Sequence, residues 1–294
     1  MPNIAIVWDF DGTLTPDDST TKTIEFFKEY EEGSEFWKYV KSLRGDDEQP
    51  EWEHVLASDA PIWMYSLSRI ASENQVPLNK EFFCEFILPN IRLYPEVPEF
   101  LNELKELTNT KRFQAVDLKV HHFIVSAGLK DLVEQVFSEG LVTWTAGCRY
   151  EVIADESKPN EPESVPVFCM DETMKTRSLF EISKGSFDSK DKKVNTRVEA
   201  KSLWAPFDNI VYIGDGPTDI PALALTRDRG GTGIVVYDAE KDRGAIEKRL
   251  EPLRVGRRTD FITPADYSLD GELYKYIQGE CLRICQRYEA ESGV

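Results

Sequence analysis

Two aspartates separated by one residue follow a short apolar stretch near the start of the chain, in Ile4-Ala-Ile-Val-Trp-Asp9-Phe-Asp11-Gly12. The apolar run predicts a strand that is covered on both faces. If residues 9–11 stay extended, the Asp9 and Asp11 side chains face the same way, and Gly12 lets the backbone turn after them. Ligands bind at the carboxyl ends of parallel strands. Two acids there can divide the work, because one attacks while the other, with a raised pKa, carries a proton.

A second pair of acids follows a second apolar stretch, in Asn209-Ile-Val-Tyr-Ile-Gly-Asp215-Gly216-Pro-Thr-Asp219. We expect Asp215 at a strand end, with Gly216 giving the chain room to turn. Asp219 is expected in the first turn of a helix, where the dipole favours a negative charge, and helix capping is an alternative role for it. Four acids in one site form a set of hard oxygen ligands that suits Mg²⁺.

A third motif, Ser126-Ala127-Gly128, ends another apolar stretch. A hydroxyl at a strand end, followed by free backbone N–H groups that enter a helix, is an arrangement that binds phosphate. Taken alone the motif is weak, because serine is also a common helix N-cap.

In this order, the three motifs resemble the haloacid dehalogenase superfamily of phosphohydrolases, and most of all its phosphoserine-phosphatase-like branch. In that branch a helical cap is inserted between the first and second motifs. The resemblance implies that Asp9 attacks phosphorus and that Asp11 serves as general acid and base. It further implies that Mg²⁺ is held by Asp9, the Asp11 backbone carbonyl and Asp215. Asp219 supports that metal site, and Ser126 holds a phosphoryl oxygen.

The same resemblance requires a lysine between the second and last motifs to offset the negative charge of nucleophile and phosphate. The segment Met-Lys175-Thr-Arg-Ser-Leu-Phe-Glu-Ile-Ser-Lys184 offers two. The lysine of the family usually opens a helix, so the sequence favours Lys175, which begins a predicted helix. Lys184 is the alternative, although at the end of that helix it could simply cap the dipole.

Alternating strands and helices predict an α/β fold with a doubly wound, mostly parallel sheet and helices on both faces. Residues 19–89 carry apolar positions at three- and four-residue spacing, and we expect them to form a helical cap with its own small core. The catalytic core would then be residues 1–18 and 90–294. We expect strands at 4–8, 119–125, 141–155, 165–169, 209–213, 233–237 and near 265, with helices starting near 93, 129, 176, 217, 240 and 270.

Composition narrows the classes of partner. The net charge of −18 argues against nucleic acid, which demands clustered lysine and arginine. The sequence contains no run of about 20 apolar residues that could span a bilayer, so we expect no membrane partner. The odd number of cysteines, five at mostly wide spacings, suits reduced thiols and a cytoplasmic location. The oligomeric state cannot be read from the chain.

The sequence therefore predicts a Mg²⁺-dependent phosphomonoesterase that acts on a small phosphorylated metabolite through an aspartyl-phosphate. One alternative is a carbon–halogen hydrolase, which Asp11 disfavours because a halide needs no leaving-group proton. Another is a non-catalytic protein that binds a phosphorylated ligand or serves as a scaffold on the same fold. The identity of the substrate stays open.

Overall fold

The computed structural model describes residues 2–27, 33–44, 59–153, 162–187 and 194–293. Within these residues seven strands form one sheet in the order β4-β3-β2-β1-β5-β6-β7. Only the β3–β4 pair is antiparallel. The strands are β1 Asn3–Trp8, β2 Lys119–Leu129, β3 Val142–Ile153, β4 Glu163–Phe168, β5 Ile210–Gly214, β6 Thr232–Tyr237 and β7 Phe261–Pro264.

Helices cover both faces of this sheet, as the predicted fold class requires. Over the described residues they are α1 Ser19–Phe26, α2 Gly33–Arg44, α3 Asp59–Glu73, α4 Lys80–Phe82 (continued by a π-helical turn over Phe83–Ile87), α5 Val97–Glu106, α6 Lys111–Ala115, α7 Lys130–Val133, α8 Glu172–Lys184, α9 Ile220–Asp228, α10 Arg243–Val255 and α11 Glu272–Ser292. None of them has both the length and the apolar character needed to cross a membrane.

Strand β1 lies at the centre of the sheet, and its side chains alternate between two apolar clusters. Ala5 and Val7 belong to one cluster, while Ile4, Ile6 and Trp8 belong to the other. This alternation follows from the two-residue period of a strand. A strand covered on both faces is fixed in register by packing, so the residues that follow it, starting with Asp9, have a defined position.

The predicted helical cap contributes four described helices, α1 to α4. Their buried side chains, including Trp63 and Phe83, belong to the same cluster as Ala5 and Val7 of the sheet. The expected separate cap core is therefore not observed in the described residues. The division into a cap at 19–89 and a core stays a prediction. Residues 28–32 and 45–58 of this segment lie outside the described residues.

The β3–β4 hairpin links the sheet to the helical segment. The Tyr150 hydroxyl on β3 donates to the Met64 carbonyl of α3 over 2.6 Å. The backbone N–H of Leu78 donates to Ser164 Oγ on β4 over 2.9 Å. Both hydrogen bonds are buried, where breaking one is most costly, so the hairpin fixes this side of the helical segment on the core.

The helix predicted from residue 129 is present but short. Strand β2 continues through Ser126, Ala127 and Gly128 as far as Leu129, and α7 has only four residues. After a break in register, Leu129 pairs with Cys148 of β3, and this pairing holds the segment extended. A helix dipole therefore contributes little at this strand end.

Candidate functional site

Asp9 and Asp215 leave two neighbouring parallel strands at the same edge of the sheet. Strands β1 and β5 pair with Trp8 opposite Ile213. The Asp9 backbone N–H donates to the Ile213 carbonyl oxygen over 2.8 Å. Both aspartates are buried, at 4% and 8% exposed. The structure thus brings together the two acids that the first and last motifs supply.

Gly12 makes the close approach of the two motifs possible. Its φ is +73°, in the left-handed region, and a Cβ at this position would lie 1.9 Å from Asp215 Oδ2. Any side chain would therefore collide with the carboxylate and would also be strained in the backbone. The turn is held by Phe10, whose carbonyl accepts from Thr13 N at 3.1 Å and Leu14 N at 2.8 Å.

Asp219 is fully buried and accepts four hydrogen bonds. Its Oδ1 accepts from Lys175 Nζ at 2.7 Å and from the Tyr212 hydroxyl at 2.7 Å. Its Oδ2 accepts from the backbone N–H groups of Asp215 at 3.1 Å and Gly216 at 3.3 Å. Both oxygens are engaged, so Asp219 positions the loop and the lysine.

Lys175 is fully buried and lies between two carboxylates. Its Nζ is 2.9 Å from Asp9 Oδ1 and 2.7 Å from Asp219 Oδ1. Burial alone would lower the pKa of Lys175, but the charges of Asp219 and Asp9 raise it above its usual value, so the side chain stays charged. Helix α8 begins three residues before Lys175, because Asp171 Oδ1 caps the Met174 N–H at 2.7 Å.

Lys184 lies at the other end of α8. Its ammonium donates to the backbone carbonyls of Val194 and Thr196, and these bonds tie down the loop that follows the helix. Of the two candidate lysines, the structure places Lys175 against Asp9 and Lys184 elsewhere.

Asp11 is held by Ser19, the first residue of α1. Its Oδ1 accepts from the Ser19 N–H at 2.8 Å and its Oδ2 from Ser19 Oγ at 2.9 Å. Desolvation, with a further contribution from the charge of Asp18, raises the pKa of Asp11 to about 8, although the Ser19 hydrogen bonds oppose the shift. A carboxyl group that is protonated near neutral pH can act as a proton donor.

The third motif lies beside Asp11. A Cβ on Gly128 would be 2.8 Å from Asp11 Oδ2 and 3.2 Å from Ser126 Oγ, so glycine is needed for this close approach. Ser126 is 1% exposed, and its Oγ accepts from the Gly128 N–H at 2.9 Å. Ala127 and Gly128 line the open cleft above it.

The acids at the sheet edge fit a divalent cation. Ligand oxygens of Asp9, Asp215 and Asp219 lie within 4.8 Å of one another. Desolvation, with the charge of Asp219, raises the pKa of Asp9 well above its ordinary value despite Lys175. Desolvation also raises the pKa of Asp215, to about 6, although Arg249 opposes the shift. Both shifts come mainly from burial of the carboxyl groups, with the charge of Asp219 adding to each, and hard oxygen donors suit Mg²⁺.

A cleft of about 940 Å³ opens above these acids. Its floor is formed by the motif residues, and the helical segment supplies part of its wall, with Trp37 and Trp63 in contact at 6.5 Å between ring centroids. The remaining wall comes from loops that follow the strands and from residues of α8, α9 and α10. Lining residues include Asp9, Asp11, Gly12, Asp17, Asp18, Thr20, Trp37, Asp59, Trp63, Ala127, Gly128, Asp171, Glu172, Asp215, Thr218, Lys241 and Arg249.

Three residues that contribute to the site were not predicted from the sequence. Arg249 of α10 donates to Asp215 Oδ2, Tyr212 of β5 donates to Asp219, and Ser19 holds Asp11. Tyr212 could have been identified from the sequence, because a tyrosine within a buried strand needs a hydrogen-bond partner for its hydroxyl. Arg249 comes 34 residues after Asp215 on a polar helix, where nothing distinguishes it from its neighbours.

Comparison with known proteins agrees with this architecture. The model of the haloacid dehalogenase-like hydrolase family matches residues 6–224, well over half of the chain. The chain therefore belongs to the haloacid dehalogenase-like hydrolase family. The resemblance that the motifs carry is confirmed.

The relatives extend over nearly the whole chain. An uncharacterized protein of Borreliella burgdorferi is 24% identical over 291 residues, which cover 96% of this chain and 98% of the relative. The structure of a phosphoserine phosphatase in apo form is similar with a TM-score of 0.53 and 17% identity, over 93% of this chain and 98% of the other. A probable phosphoserine phosphatase from Vibrio cholerae gives a TM-score of 0.52 and 14% identity, over 98% and 67%. These likenesses confirm the predicted fold class.

Proposed function

We propose that this protein is a Mg²⁺-dependent phosphomonoesterase that hydrolyses a small phosphate ester through an aspartyl-phosphate on Asp9. The observation that carries the proposal is the position of Asp9 at the floor of the cleft. One Asp9 oxygen is 2.9 Å from the buried Lys175 ammonium. An Asp9 carboxylate oxygen also lies within 4.8 Å of carboxylate oxygens of Asp215 and Asp219. A carboxylate placed between a fixed cation and a metal site suits attack on a phosphoryl group.

The proposed reaction has two steps. In the first, an Asp9 oxygen forms a bond to phosphorus while the ester P–O bond breaks, and the Asp11 carboxyl group gives its proton to the leaving oxygen. In the second, Asp11 takes a proton from water as the water oxygen attacks phosphorus and the bond to Asp9 breaks. The pKa of Asp11 at about 8 supports this role, because the group is largely protonated at neutral pH.

Charge neutralisation would come from three sources. Lys175 would offset the charge on Asp9 and the phosphoryl oxygens, and Ser126 with the Gly128 backbone would hold another of those oxygens. Mg²⁺, held by Asp9, the Asp11 carbonyl and Asp215, would supply positive charge that stabilises the transferring phosphoryl group. Asp219 would act indirectly, by holding Lys175 and the Asp215 backbone.

The helical segment at 19–89 is proposed as a cap that limits the size of the substrate. Thr20, Trp37, Asp59 and Trp63 from this segment line the cleft, and a cleft of about 940 Å³ has the dimensions of a small-molecule site. All five cysteines are free thiols, which supports a cytoplasmic location. The expected partner is a small phosphorylated metabolite.

The test is hydrolysis of p-nitrophenyl phosphate and of a panel of phosphorylated metabolites, with and without Mg²⁺, by wild type and Asp9→Asn. We expect Mg²⁺-dependent phosphate release that the substitution abolishes. Hydrolysis that survives Asp9→Asn would remove Asp9 as nucleophile. Tight binding of a phosphorylated compound without turnover would favour the non-catalytic alternative, and halide release without Mg²⁺ would favour the carbon–halogen hydrolase.

A further inference from the structure

Arg249 reaches the acid cluster from a helix on which no motif lies. It occupies the second turn of α10, and its Nη2 donates to Asp215 Oδ2. A Cβ on Gly216 would lie 2.4 Å from Nη2 and 2.6 Å from Nε of Arg249. The guanidinium therefore lies directly against the backbone of the last motif, in space that only a glycine leaves open.

The oxygen that Arg249 contacts is the one that faces the first motif. A Cβ on Gly12 would be 1.9 Å from the same Asp215 Oδ2, and Gly12 directly follows Asp11, whose carbonyl is a proposed metal ligand. Oδ2 is therefore the Asp215 oxygen nearest the first motif, and a metal held by both motifs would meet the Arg249 guanidinium there.

The negative charge of the buried Asp215 carboxylate explains why an arginine lies beside it. Within the described part of the chain, the other cation buried among these acids, Lys175, is already engaged by Asp9 and Asp219. Asp215 is 8% exposed, and burying an unpaired carboxylate is costly. Arg249 supplies the missing positive charge, and with its side chain 36% exposed and lining the cleft, it has open space into which it can withdraw.

We infer that Arg249 is an internal counter-cation, which holds the place of the divalent cation at Asp215 in the metal-free protein and is displaced when the metal binds. This inference rests on the proposed function, because it takes Asp215 as a metal ligand. It assigns Arg249 a positioning role that sets the affinity for the metal. In the metal-free protein, Arg249 also reduces the repulsion between the carboxylates of the site.

Mg²⁺ titration by calorimetry tests the inference with wild type, Arg249→Gln and the matched control Arg254→Gln. Arg254 is on the same helix, pairs with Glu247 and is 48% exposed, so its substitution removes one charge away from the site. We expect the Mg²⁺ dissociation constant of Arg249→Gln to fall by about tenfold, since a charged hydrogen bond no longer has to be broken. Arg254→Gln should bind as wild type does.

Thermal unfolding gives an independent readout. Without Mg²⁺, Arg249→Gln should unfold at a lower temperature than wild type, because Asp215 loses its partner, and the two midpoints should converge in saturating Mg²⁺. Equal or weaker Mg²⁺ binding by Arg249→Gln, while wild type still hydrolyses p-nitrophenyl phosphate, would overturn this inference alone. Absence of Mg²⁺ binding in both proteins would overturn the proposed function together with it.

Discussion

The Lys175 ammonium lies 2.9 Å from Asp9 Oδ1, and both side chains are buried. This contact joins the first aspartate of the first motif to a helix that starts more than 160 residues later. It places a permanent positive charge beside the proposed nucleophile. A buried lysine is tolerated only because Asp9 and Asp219 satisfy its charge.

Substitution of Lys175 by methionine should remove that charge. We expect kcat for p-nitrophenyl phosphate to fall by at least about 100-fold, because a preorganised charge at the reacting group is lost. The matched variant Lys184→Met, at the other end of α8, should stay within about threefold of wild type. Circular dichroism must show both variants folded. An active Lys175→Met enzyme together with an inactive Lys184→Met enzyme would reverse the assignment of the site lysine.

Substitution of Gly12 by alanine should break the approach of the first and last motifs. The new methyl group would meet Asp215 Oδ2, so we expect loss of Mg²⁺ binding and of measurable turnover. Gly140 provides a control with a similar φ of +82° and nothing within 4 Å of its Cβ position. Gly140→Ala should therefore cost only about 1 kcal/mol of unfolding free energy and leave kcat unchanged. Equal activity of the two variants would show that the contact between Gly12 and Asp215 is not needed.

Substitution of Asp11 by asparagine should depend on the leaving group. An alkyl phosphate needs its leaving oxygen protonated, so kcat for it should fall by about 10²- to 10⁴-fold. p-Nitrophenolate leaves without being protonated, so the rate of phospho-enzyme formation from p-nitrophenyl phosphate should fall less. Ser19→Ala keeps one of the two hydrogen bonds to Asp11 and should give an intermediate loss. Equal losses in the rate of phospho-enzyme formation with both substrates for Asp11→Asn would exclude proton donation by Asp11.

The motifs predicted the sheet edge well because strand ends carry local signals. The apolar runs before Asp9 and Asp215 are followed at once by glycines that permit a turn, and parallel pairing makes such ends meet. The fold class followed from the alternation of strands and helices. Lys175 was favoured over Lys184 by its place at the start of a helix.

Other parts of the site depend on contacts that sequence spacing does not encode. Arg249 contacts Asp215 from a position 34 residues later in the chain, and the need for glycine at 216 is seen only from the guanidinium that lies against it. The helix predicted from residue 129 forms only over Lys130–Val133, and Leu129 itself stays in the strand because it pairs with Cys148. The cap was expected to have its own core, but its apolar faces share one cluster with the sheet.

Acid should destabilise the protein through His122. Its Nδ1 accepts from Trp8 Nε1 at 3.1 Å and its Nε2 donates to the Leu101 carbonyl at 2.8 Å, and burial lowers its pKa to about 3. The unfolded chain, with an ordinary histidine pKa near 6.5, therefore binds one more proton than the folded chain between about pH 6.5 and pH 3. Above that window His122 has no effect on the pH dependence of stability. As pH falls through the window, the free energy of unfolding decreases by about 1.4 kcal/mol per pH unit.

His122→Gln isolates that effect, since glutamine offers an acceptor and a donor but does not titrate in this range. Urea unfolding of both proteins should be measured from pH 7 to pH 4. As pH falls, the free energy of unfolding of the wild type should decrease faster than that of the variant, by up to about 1.4 kcal/mol per pH unit, the slope for one proton. Curves that stay parallel would mean that His122 is protonated in the folded protein.

Covalent attack by Asp9 would leave a phosphoryl group on its side chain, which mass spectrometry of the trapped intermediate can detect. The enzyme is mixed with Mg²⁺ and p-nitrophenyl phosphate, quenched in acid during turnover, and digested. We predict one phosphoryl group on the peptide that contains Asp9, and none in Asp9→Asn. A phosphoryl group on another residue, or turnover by a wild type that never carries one, would contradict the account.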